Sequence, residues 1–113
     1  MMIEPDPRWD DPDAEVVSFV IRGNEDPEFS LRGDDIPRAL RPDLRPSALR
    51  PGFNGGHYEI DVEGCTVDFS PEPMGWQVDM LNPTSEAWAF EIAQEILQRM
   101  SRVSGQEGQV FRL

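Results

Sequence analysis

The chain has 113 residues, with 22 acidic side chains against ten basic ones, a net charge of −12 and a hydrophobic content of 38%. That length specifies one domain with a single core, burying at best about 65% of the unfolded surface. All the bases are Arg, and a chain this acidic lacks the basic footprint that nucleic-acid phosphates or an anionic membrane demand, so a cationic partner suits it better.

Residues 1 to 14 hold five acids, three prolines and one Arg, with Trp9 the only large apolar group beyond the first three residues. This composition predicts a flexible acidic arm ahead of a single domain over 15 to 113. The opening MMIEPDPRWD lacks the basic and apolar regions of a signal peptide, and the longest apolar run, Val16 to Ile21, is far short of a membrane span. The expected location is the cytoplasm. From Glu15, EVVSFVIR places Val17, Phe19 and Ile21 on one face and Val16, Ser18, Val20 and Arg22 on the other, the pattern of a central strand over 15 to 22.

Residues 24 to 56 form a long Pro/Arg-rich loop. A short helix is expected near 35 to 41, with an acid as N-cap and Pro37 in its first turn, stopped by Pro42. Leu-Arg-Pro then recurs at 40, 44 and 49, at spacings of four and five residues, which is no solenoid period. The loop is expected to fold back on the domain, its leucines patching the core edge and its Arg side chains answering some of the sheet's carboxylates.

The stretch from His57 to Leu81 organises the rest. HYEIDV and CTVDFS flank the turn Glu63-Gly64, where Gly supplies a positive φ. The implied register sets Val62 opposite Cys65, Ile60 opposite Val67 and Tyr58 opposite Phe69, so every apolar residue falls on one face. A one-residue slip would mix the faces completely. Trp76, Val78 and Met80 alternate with Gln77 and Asp79, giving a third strand over 76 to 81 that pairs with the second. Between 57 and 81 stand six carboxylates, Glu59, Asp61, Glu63, Asp68, Glu72 and Asp79, and no Arg.

Asn82 is the expected N-cap of the one long helix, with Pro83 at its first position and Gly105 as the stop. Ile92, Ile96, Ala89, Met100, Ala93 and Val103 share one arc, flanked by Trp88 on one side and by Phe90 and Leu97 on the other, while Glu91, Gln94, Glu95 and Gln98 face away. The arc is wider than a sheet needs, so Phe90 and Leu97 require a cover. The tail 109 to 113 is expected to return as an edge strand.

The predicted architecture is therefore α+β: an antiparallel sheet of four or five strands with the long C-terminal helix on one face. A ferredoxin-like split is the alternative if the short first helix forms. Cys65, the single cysteine, excludes an intrachain disulfide and is expected as a buried, inert thiol. His57 with Glu59, Asp61 and Asp68 is the one cluster resembling a metal or general-base site, yet alternate residues of one strand splay outward nearly 7 Å apart, a geometry suited to hydration. Neither catalytic residues, metal nor cofactor is expected.

The functional expectation follows from the charge imbalance. It is a small non-catalytic binding protein of the immunity-protein or antitoxin kind, meeting a basic partner through Glu59, Asp61, Asp68, Glu72 and Asp79, with Trp76 or Trp9 as an aromatic anchor. The alternative is an adaptor or homodimer using Phe90 and Leu97 or the C-terminal edge strand.

Overall fold

The computed structural model describes residues 7–49 and 58–113. Alternation of apolar and polar side chains produces strands here because each strand can then turn one face to a helix. Six form among the described residues: β1 (Val16–Gly23), β2 (Ala48–Leu49), β3 (Tyr58–Val62), β4 (Cys65–Glu72), β5 (Gly75–Leu81) and β6 (Gly108–Arg112). All pairings are antiparallel, in the order β2-β3-β4-β5-β1-β6. The β3–β4 hairpin has the register that the sequence dictates, from Tyr58↔Phe69 to Val62↔Cys65, with positive φ at Glu63 and Gly64. The strand count is six where four or five were expected, because Ala48–Leu49 of the long loop adds to β3. The ferredoxin-like alternative does not form: β2 to β5 lie side by side in chain order, without the crossovers that split needs.

Val17, Phe19, Ile21, Ile60, Val62, Val67, Phe69, Val78 and Met80 point to one face and are buried. Over them lies α2 (Glu86–Ser104), which contributes Ala89, Ile92, Ala93, Ile96 and Met100. Its start differs from the sequence reading. Ser85, in extended conformation, is the N-cap, and its Oγ accepts the Trp88 N–H at 3.0 Å. Asn82 instead takes a left-handed φ of 51° and ties β5 to the start of β1: its N–H donates to Glu15 O (2.7 Å) and its Oδ1 accepts the Glu15 N–H (2.9 Å). An Asn tolerates that backbone, and the residue before a proline is disfavoured in the helical region, so the cap moves downstream. Gly105 ends α2 with a φ of 75°, as expected.

The long loop does fold back on the domain as far as it is described. The short helix α1 (Asp35–Ala39) packs on α2, and Phe29, Leu31, Ala39 and Leu40 complete the core. Leu44 and Leu49 stay exposed. At the N-terminus, residues 1 to 6 of the expected arm lie outside the described residues, while Pro7–Asp10 forms a 3-10 turn with Trp9 half-buried. No described helix is long and apolar enough to cross a membrane.

Candidate functional site

On the sheet face away from α2, the polar positions of neighbouring strands fall into rows. Glu59 stands opposite Asp68, Asp68 opposite Asp79, and Asp79 opposite Ser18. Carboxylates on β3, β4 and β5 therefore stand abreast, one strand spacing of about 4.8 Å apart. Asp61 and Thr66 form the next row on one side, Ser70 and Gln77 on the other, with Glu72 beyond them. Like charges directly across a strand pair disfavour it by a few tenths to about 1 kcal/mol.

Neutral donors orient several of these acids. The Ser18 hydroxyl donates to Asp79 Oδ1 at 2.5 Å and Gln77 Nε2 donates to the same oxygen at 3.2 Å. Ser70 Oγ donates to Glu72 Oε1 (2.8 Å) and Thr66 Oγ1 to Asp61 Oδ1 (3.4 Å). Such bonds fix the carboxylates without cancelling their charge. Among the described residues, neither Glu72 nor Asp79 has an ion pair.

Of the residues picked from sequence, Asp61, Asp68, Glu72 and Asp79 are half-buried on this face. Two others leave the contact set. Glu59 is in the row but only 3% exposed. Trp76 is 2% exposed and on the opposite face, because it shares the alternation of Val78 and Met80; its indole N–H donates to Glu28 O at 3.0 Å. It is a core residue that pins the 26–31 turn, and a partner cannot reach it. Cys65 is likewise buried against the core. His57 lies outside the described residues, and among the described ones no three His, Cys, Asp or Glu side chains converge on a point that could hold a metal.

Several of the described arginines are engaged away from Glu72 and Asp79. Arg45 reaches Glu95 at 2.8 Å, Glu91 at 3.1 Å and Glu63 at 3.4 Å, and its guanidinium lies 6.0 Å from the Trp88 ring centre. Glu95, expected to face solvent, is buried beneath it and also accepts the Leu44 N–H. Glu95 above all, with Glu91 and Glu63, holds the Arg45 guanidinium even more firmly protonated than usual, against a smaller opposing effect of burial. Arg99 and Arg102 close on Asp43, Arg112 on Glu86 and Arg38 on Asp35. These pairs gather around the helices. Arg22 shares the alternation of Ser18 and Val20 and so belongs to the carboxylate face, at the end of β1 where it stands opposite Gln109.

Apolar surface that includes the C-terminal edge strand, offered by the sequence as an alternative contact, adjoins the acids. Val16, Met74, Phe111 and Leu113 are exposed at the β1–β6 end, where Val20, Arg22, Met74, Phe111 and Leu113 line a shallow depression of about 240 Å³. The visible signal was the apolar second face of β1. The sheet face is thus divided, carboxylates over β3 to β5 and apolar surface over β1 and β6. Set against protein-family models, curated proteins and solved structures, the chain matches none of them, so the site has to be understood from its own residues.

Proposed function

We propose that this chain is a small non-catalytic cytoplasmic binding protein, of the immunity-protein or antitoxin kind, that neutralises a basic partner through Asp61, Asp68, Glu72 and Asp79. The observation that carries this reading is the direct opposition of Asp68 and Asp79, with Asp79 held by hydroxyl and amide donors alone among the described residues. Asp79 and Glu72, which have no ion pair among the described residues, are where a partner's Arg or Lys side chains would land. Summed negative potential on one face also speeds the encounter with a cationic protein.

The test is capture of binding proteins from the native cell extract at low and at moderate salt, with the wild-type chain and with an Asp68→Asn/Asp79→Asn variant. A basic protein retained by the wild type, released by salt and lost from the variant supports the reading. Retention that is indifferent to both salt and the substitutions would end it.

A further inference from the structure

We infer that the outer edge of β6 pairs with β6 of a second copy, joining the two six-stranded sheets into one continuous antiparallel sheet across a two-fold axis at Val110. This does not rest on the basic-partner reading. In the β1–β6 ladder, Asn24 N–H donates to Glu107 O (2.9 Å) and Leu113 N–H to Ser18 O (3.0 Å). Hydrogen-bonded pairs alternate along an antiparallel ladder, so the odd-numbered residues of β6 turn their backbone groups to β1 and Gly108, Val110 and Arg112 turn theirs outward. No described strand takes up that edge.

The pattern is self-complementary. Rotation about Val110 sets its N–H and C=O against those of Val110 in the second copy, and Gly108 against Arg112 on either side. An isologous contact requires exactly this symmetry of a patch with itself. Natural edges are guarded by Pro, by short length or by a charge over the edge. Here Arg112 is folded back, its Nε 2.7 Å from Glu86 and its guanidinium 5.6 Å from the Phe19 ring centre. Residues 108 to 113 carry no acid in a chain of net charge −12, so this edge is a poor target for a basic partner and the strand least repelled by its own copy.

The helix supports the same occupant. The loop and α1 cover the α2 flank bearing Trp88, Glu95 and Arg99. The opposite flank, with Glu86, Phe90 and Leu97, lies toward β6, where Glu86 meets Arg112 and Phe90 remains 44% exposed. A two-fold axis normal to the sheet keeps both copies' helices on one side. It brings the Phe90–Leu97 flanks toward each other above the seam and sets the two copies of Phe111 as diagonal neighbours below it. One operation therefore accounts for the open edge, the overwide apolar arc of the helix and the exposed end of the sheet's second face.

The experiment is sedimentation equilibrium of the whole chain at low and moderate salt, with Val110→Pro, which removes the central outward N–H, and Phe90→Glu, which charges the seam. A double Gln109→Cys/Phe111→Cys variant completes it, since these side chains face each other across the proposed seam at disulfide range. The expected results are a wild-type dimer strengthened by salt, because screening relieves the repulsion of two acidic chains, and weakened about tenfold or more by either substitution. Oxidation of the cysteine pair is expected to give a covalent dimer, Cys65 being too buried to compete. If Val110→Pro fails to fold, Phe90→Glu and the cysteine pair decide. A wild-type chain that stays monomeric overturns the proposal, and so does a dimer whose cysteine pair does not cross-link.

Discussion

Asp68 and Asp79 stand directly opposite each other on β4 and β5, with Ser18 of β1 completing the row and donating its hydroxyl to Asp79. The sheet holds this like-charge pair because β4 and β5 are locked from the other face by Val67, Phe69, Val78 and Met80, all fully buried. The pair's local cost of up to about 1 kcal/mol is small beside that burial. An Asp79→Asn substitution keeps an acceptor for Ser18 and removes one of the two charges. Denaturant unfolding should show stability unchanged or raised by about 0.5 kcal/mol.

The Arg45–Glu95 clasp should behave in the opposite way. Arg45→Ala leaves Glu95 buried without its cation and takes the guanidinium off Trp88. A loss of about 2 to 3 kcal/mol in unfolding free energy is expected, toward the lower end for removal of one member of a buried pair, since Arg45 is partly exposed. Glu95→Gln should cost less, because it can still accept from Leu44 and Arg45.

Acid should loosen the 26–31 turn. Hydrogen bonds from Ser30 Oγ, the largest influence, and from the Glu28 N–H hold the Asp26 carboxyl below its ordinary 3.8. A carboxylate with a depressed folded pKa adds stability that is fully present above the unfolded value and is lost as pH falls through the folded one. Trp76 reports on this turn because its indole N–H donates to Glu28 O. Its fluorescence should hold steady from neutrality down to pH values above 3.8 and change below it, and Asp26→Asn should remove that acid step.

Gly75 tests the seam between β5 and β1. Its φ is 141°, and a Cβ there would stand 2.7 Å from Ile21 O. Gly75→Ala should lower stability by about 2 kcal/mol or more, seen as a fall in thermal midpoint. A neutral result would mean that β1 and β5 approach each other less closely than described.

The hairpin register was legible because periodicity and turn agreed: one slip would have moved Ile60 and Val67 onto the polar face. The long helix was legible in its apolar arc and in Gly105, while its start was obscured because Asn82, Pro83 and Ser85 all carry N-terminal chemistry within one turn. Glu95 looked solvent-facing on a helical wheel, and only the tertiary position of Arg45, fifty residues earlier, buries it. Trp76 was placed on the apolar face by its alternation, yet was also offered as an anchor; the first assignment excludes the second. That Asp79 would stand opposite Asp68 depended on the β4–β5 register, which the Pro-rich corner 71 to 75 did not specify. The open flank at Phe90 was readable as excess apolar surface, but which side α1 would cover was set by long-range packing.

The proposed role requires that negative potential accessible to a partner be concentrated over β4 and β5. The most direct measurement is an NMR titration of the chain with a short oligoarginine peptide at low salt, following the backbone amides. Shifts centred on residues 61, 68, 72 and 79, abolished by moderate salt and diminished in Asp68→Asn/Asp79→Asn, are the predicted result. Shifts centred instead on the helix acids Glu86 and Glu91, or spread evenly over the surface carboxylates, would contradict it.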